Sequence, residues 1–226
     1  MVSNRLSIFG WFLVLSLSLY FIYSYALRYF NFSSPAYSPD LKPFTLALVT
    51  HISGGIVALL LGPVQFIGTI RRKRPLLHRN IGKIYLVTVL VSGLTSLYLS
   101  IGHILIKNAM VGYGTGLIGL ALAWLSTSTF AFIAIKQRNV EQHREWMVRS
   151  YTVTCGFVLF RIVLELLLKN TKVRFGEAAT LSAWSCWAIP LLVTEIALQA
   201  RKLTSPAKNT PHKKGTTTVL VEERKF

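Results

Sequence analysis

Two histidine–arginine pairs, His78-Arg79 and His143-Arg144, each follow a basic loop, and the two loops align without a gap. Ile70-Arg-Arg-Lys-Arg-Pro-Leu-Leu-His78-Arg79 falls on Ile135-Lys-Gln-Arg-Asn-Val-Glu-Gln-His143-Arg144, and the same register sets Gly54 on Gly119. An internal repeat of this kind puts His78 and His143 at equivalent positions, and sites in repeat membrane proteins tend to lie where the copies meet. Two imidazoles converging from facing helices are what a bis-histidine haem b site needs. Each gives a neutral ring nitrogen to the iron while its other nitrogen is oriented by an acceptor. Arg79, Arg144 and Arg149 are near in sequence, and a guanidinium fork suits a haem propionate. The plainer alternative makes both pairs interfacial anchors that grip lipid phosphate.

His51 has a different setting. It lies about two turns inside an apolar segment, where an ionisable side chain is expensive and points to function. Ser53, Gly54 and Gly55 beside it would let a flat cofactor approach the backbone, or simply another helix. The repeat sets Gly116 opposite His51, so a second bis-histidine site lacks its partner. A histidine with an open position, or one that handles protons, remains. His103 lies near the end of its segment, where it could substitute or face water, and His212 belongs to the polar tail. Arg161 and Glu165 are four residues apart, at about the depth of His51. That spacing lets them pair on one helix face. Either they form a structural ion pair, or Arg161 holds an anionic group such as a propionate or a substrate carboxylate. Gln65 after Gly62-Pro63, with Trp124, Ser126, Thr127 and Ser128, reads as a proline kink and back-bonding hydroxyls. Cys155 and Cys186 sit inside apolar blocks and read as buried spectators, neither a disulfide framework nor a metal pair.

These residues must be positioned by membrane helices. The chain carries 25 Lys and Arg against 8 Asp and Glu, a net +17 that would suggest nucleic acid in a soluble protein. Mean hydropathy is strongly positive instead, and the apolar residues fall in blocks long enough to cross a bilayer core of about 30 Å. Six blocks are expected: Ser7 to Leu27, Phe44 to Ile70, Ile81 to Ile106, Val111 to Ile135, Trp146 to Leu168 and Thr180 to Leu198. The first is long for a signal peptide and ends in a crowd of aromatics that includes Tyr20, Tyr25 and Tyr29, so it reads as a retained anchor. Eighteen Lys and Arg, counting the tail, fall to one side of the bilayer and six to the other. This asymmetry predicts a multi-pass protein of the plasma or inner membrane with both termini and the basic loops in the cytoplasm. Residues 1–200 are read as the transmembrane domain and 201–226 as a basic, disordered, lipid-attracted tail.

Three ordered motifs carry a resemblance: His51-x-x-Gly-Gly-x-x-Ala-Leu-Leu-Leu-Gly-Pro-x-Gln-Phe, His78-Arg-x-x-Gly-x-x-Tyr, and His143-Arg-x-Trp-Met-x-Arg-Ser-Tyr. Over about Thr45 to Leu168 the chain resembles a bacterial family of predicted membrane proteins, domain of unknown function 2306, a label that brings no activity with it. More distantly its architecture is similar to the six-helix ascorbate-reducible b-type cytochromes. That resemblance implies a four-helix core of helices 2 to 5, haem held by histidine pairs, and electron transfer, with His78 and His143 matching one pair. The expected fold is an all-α, polytopic membrane bundle of about six transmembrane helices with a pseudo-symmetric four-helix core. The expected function is haem b-dependent electron transfer or reduction of a small acceptor. The rival is a non-redox transporter or lipid- or anion-binding protein that uses His51, Arg161 and the His-Arg loops. The bilayer is the expected partner, together with a small molecule or electron donor; nucleic acid is not.

Overall fold

A computed structural model of the chain describes residues 4–32 and 39–204. Among these residues there is no strand, and six helices are long and apolar enough to cross a membrane. The elements are α1 (Asn4–Phe21), α2 (Thr45–Gln65), α3 (Gly68–Lys73), α4 (Pro75–Leu99), α5 (Val111–Lys136), α6 (Val140–Asn170) and α7 (Phe175–Thr204). Each apolar block becomes a helix, and several run past the apolar residues because their ends are well made. Pro75 opens α4 at a first-turn position that needs no N–H donor. Asn139 caps α6, its side chain accepting from the Gln142 N–H at 3.1 Å. The span of α1 continues through a π-helical turn (Ile22–Ala26) and a 3-10 turn (Leu27–Phe30). That of α4 continues through a π-helical segment (Ser100–Lys107).

The second block does not run unbroken to Ile70. Helix α2 stops at Gln65, Ile67 is extended, and α3 starts at Gly68. Pro63 lies behind the break. It has no N–H to give the carbonyl four residues back, and its ring crowds that carbonyl. The Leu59 carbonyl so released accepts from the Tyr151 hydroxyl at 3.3 Å. Gly62 makes the approach possible, since a Cβ there would run into the Tyr151 ring. A turn in the first histidine motif is thus completed by the last residue of the third.

Helix α2 lies along α4 and α5 along α6; α4 packs on α5, and α2 makes a lighter contact with α6. These four form the core, with α1 against α2 and α6, and α7 against α5 and α6. Exposed apolar side chains such as Leu46, Ile106 and Val111 cover the outside, as a hydrocarbon solvent requires. The repeat is visible in the helix starts. Pro75 and Val140 begin α4 and α6, so His78 and His143 are each the fourth residue of their helix. The backbone N–H of each donates to the residue just before the helix, Arg74 at 3.2 Å and Asn139 at 3.0 Å. Both histidines therefore lie at the same, basic end of the bundle. The tail expected from Arg201 begins inside α7; residues 205–226, His212 among them, lie outside the described residues.

Candidate functional site

The polar side chains gather at three levels. At the basic end the Gln65 amide lies 3.1 Å from His78 Nδ1. With its nitrogen turned inward it donates to Nδ1 and to the His78 carbonyl (3.3 Å), while its oxygen accepts from the Gly82 N–H (3.2 Å). Gly82 is the motif glycine after His78, and a Cβ there would stand 3.2 Å from the Gln65 amide. His143 Nδ1–H donates to the Ala131 carbonyl at 2.8 Å, which leaves its Nε2 as a lone pair. His143 also stands close enough for its charge to act on His78. Arg79 and Arg144 are exposed. Arg149 is buried and already engaged: Glu195 of α7 meets it at 2.6 Å, Glu145 at 3.6 Å, and its guanidinium covers the Trp146 ring at 4.6 Å. Lys202 closes this cluster at 2.8 Å from Glu145.

The donor set at this end fits axial ligation of haem iron only in the less favourable amide orientation, the one that sets the Gln65 oxygen against the His78 carbonyl and its nitrogen against the Gly82 N–H. His143 presents Nε2 as it stands. His78 does so only if the Gln65 oxygen faces Nδ1, because donation from the amide nitrogen puts the imidazole proton on Nε2. Among the described residues no three His, Cys, Asp or Glu side chains gather as an ion-binding group. Cys155 is half-buried, Cys186 is buried, and both are free.

The middle level is a closed hydroxyl chain. The buried Tyr85 hydroxyl lies 2.8 Å from Ser150 Oγ and 3.0 Å from Thr154 Oγ1. Ser150 reaches Ser128 at 2.7 Å, and the Trp124 indole donates to Thr154 Oγ1 at 2.8 Å. Three helices, α4, α5 and α6, are tied together here where no water competes. Thr127 back-bonds to the Ala123 carbonyl at 2.7 Å as expected, whereas the Ser128 hydroxyl bonds across helices instead.

The third level lies in the opposite half of the bundle. His51 Nδ1–H donates to the Ser92 carbonyl at 2.9 Å, and Ser92 Oγ returns a bond to the His51 carbonyl at 2.7 Å. Gly54 allows this closeness: a Cβ there would stand 2.8 Å from Ser92 Cβ. The His51 ring meets Phe157 edge-on, and both line a cavity of about 80 Å³ with Arg161 and, from the end of the first span, Phe21, Tyr25 and Tyr29. The spacing of Arg161 and Glu165 does not produce an ion pair. Glu165 instead accepts from the Tyr25 hydroxyl and pairs with Lys169 at 3.3 Å. The Arg161 guanidinium covers the Tyr25 ring at 4.9 Å, and among the described residues no carboxylate lies within ion-pair distance of it. His103 stands apart, against Phe44 and Asn108.

Sequence reading brought His51 and Arg161 together by depth but missed Tyr25, which was read as part of an interfacial belt. Its partner is 140 residues away, so no local spacing could reveal it. Ser92 and Tyr85 were equally silent, although Tyr85 closes the second motif.

No curated protein and no solved structure matches the chain. A family model described as "Predicted membrane protein (DUF2306)" matches residues 48–198, from the start of α2 through most of α7 and so beyond the motifs, and the chain belongs to that family.

Proposed function

We propose that this protein binds an anion in the cavity between the first span, α2 and α6, with Arg161 as its counter-charge and His51 as its polar neighbour. In this reading the basic end faces the cytoplasm and the cavity lies in the outer half of the bilayer. The observation that supports it is Arg161. A guanidinium within a membrane span is costly and normally meets a carboxylate or a functional partner. Arg161 borders a cavity, and the one carboxylate a turn away is held by Tyr25 and Lys169. The test is an anion panel (chloride, bicarbonate, acetate, hexanoate) added to purified protein while its melting temperature is followed. At least one anion should raise it, and Arg161→Gln should remove the rise while Arg161→Lys keeps part of it. A flat response to every anion would end this reading. Cysteines placed at Arg71 to Arg74, the end of α3, should resist impermeant reagents added outside intact cells.

A second reading rests on a separate observation, the arrival of His78 and His143 at matching positions, with His143 close enough for its charge to act on His78. We propose that this end can hold one haem b between the two imidazoles, with Arg79 and Arg144 as guanidinia open to propionates. When bound, the haem would supply one-electron chemistry in a low-dielectric setting. Protein from haem-replete cells should then show sharp reduced bands that His78→Ala or His143→Ala abolishes and His103→Ala does not. A colourless preparation would remove the haem and the electron-transfer role with it.

A further inference from the structure

We infer that the cavity beside Arg161 takes a membrane-soluble monocarboxylic acid, which gives its proton to His51 Nε2 and leaves its carboxylate against the guanidinium. The inference rests on the anion reading and names its ligand. Beyond His51, Arg161 and two tyrosines, the walls are apolar: Phe21, Ile52, Ile56, Leu59 and Phe157. A single cation in apolar walls suits one carboxylate on a hydrocarbon body. A dicarboxylate or phosphate would need further donors for its remaining charge.

The proton has a defined place to go. Because Nδ1–H is committed to the Ser92 carbonyl, the neutral ring carries its lone pair on Nε2. Neither Nε2 nor the Arg161 nitrogens have a hydrogen-bond partner among the described residues, and both side chains line the cavity. In the step the acid O–H bond breaks, an Nε2–H bond forms, and a neutral acid and neutral imidazole become a carboxylate and an imidazolium. Charge is conserved, and the new anion lies between two cations. The groups facing His51 are few: Ser92 from α4, Phe157 and Arg161 from α6, and Tyr25 and Tyr29 from the first span. Glu165 stands behind Tyr25, and Tyr113 of α5 feels the charge of Arg161. Among the described residues no carboxylate lines the cavity to compete for the proton or the guanidinium.

The experiment is calorimetric titration of the full chain in nanodiscs at pH 7.5 with hexanoate, hexanamide and hexanol, in buffers of different ionisation enthalpy. Hexanoate is ionised in that water, so its binding should take up about one proton per ligand from the buffer. The amide and alcohol should bind about tenfold more weakly or not at all. His51→Gln should abolish proton uptake and weaken hexanoate by about tenfold, with Arg161→Lys retaining uptake. The ligand series needs only the native chain, so a poorly folded variant does not stall the test. Arg161-dependent binding of chloride or bicarbonate without hexanoate would overturn this inference and leave the anion site standing. Hexanoate binding without proton uptake would overturn the step at His51. Binding of no anion would overturn both.

Discussion

Gly54→Ala tests the closeness of α2 and α4 on which His51 depends. The added methyl would stand 2.8 Å from Ser92 Cβ and 3.1 Å from the Thr88 carbonyl oxygen. The first contact decides the outcome, because a Cβ is fixed by its own backbone and cannot rotate away, and the carbonyl oxygen is as rigid. The helices must part, and forced overpacking of this kind costs about 1–3 kcal/mol. Separation also lengthens the paired bonds between His51 and Ser92, for a further loss of about 1 kcal/mol. Alanine regains about 1 kcal/mol through its better helix propensity. The net is a loss of about 2 kcal/mol, on the order of 5 °C in melting temperature for a chain of this size. Gly10→Ala is the control, since Gly10 has nothing within 4 Å and its alanine should be neutral or slightly stabilising. Denaturant unfolding in mixed micelles, compared with the wild type, reads both. If Gly54→Ala is as stable as the parent, or Gly10→Ala falls as far, the close-approach account of this glycine is wrong.

Arg161→Leu should leave the unliganded protein unchanged or more stable by about 1 kcal/mol, because the lost cation–π contact is worth no more than the desolvation it relieves. A loss above about 1 kcal/mol in the same unfolding assay would make Arg161 a structural residue. Tyr85→Phe should cost about 1–2 kcal/mol, since Ser150 and Thr154 lose a partner away from water. Tyr151→Phe should cost about 1 kcal/mol, and clearly less beside Pro63→Ala, where the Leu59 carbonyl recovers a helical partner. Equal costs in the two backgrounds would separate Tyr151 from the proline. Arg149→Met should destabilise the joint of α6 and α7 by about 1 kcal/mol or more, chiefly because Glu195 loses its cation while Glu145 keeps Lys202, an effect that salt should reduce.

Block length made the six spans legible, because the thickness of a bilayer dictates it. The ungapped loops likewise foretold the shared helix starts at Pro75 and Val140. What failed was the behaviour of polar atoms inside the spans. Pro63 was expected to kink α2, but where α2 stops depends on a local turn, and the fate of the Leu59 carbonyl depends on Tyr151 of another helix. Arg161 and Glu165 had ideal spacing and still did not pair, because Tyr25 reached the carboxylate first. Spacing reports which residues share a face. It cannot report which competing donor arrives from elsewhere.

The broken symmetry of the repeat accounts for the space beside His51 and the close packing at its counterpart Gly116. His51 corresponds to Gly116, and that glycine is covered by α7: a Cβ there would stand 2.8 Å from the Ala183 Cβ, and the Trp187 indole donates to the Gly116 carbonyl at 3.2 Å. A histidine at that position would have to displace a packed helix. Beside His51 the counterpart of α7 is the first span, whose regular turns end at Phe21, so the space is lined by that last residue and by the π-helical and 3-10 continuation. Aromatic rings bridge the gap, leaving a space too polar to collapse around Arg161 and too apolar to be a water channel. The two copies thus share a basic end and diverge at the opposite one. The residue that breaks the repeat faces the space that the divergence leaves open.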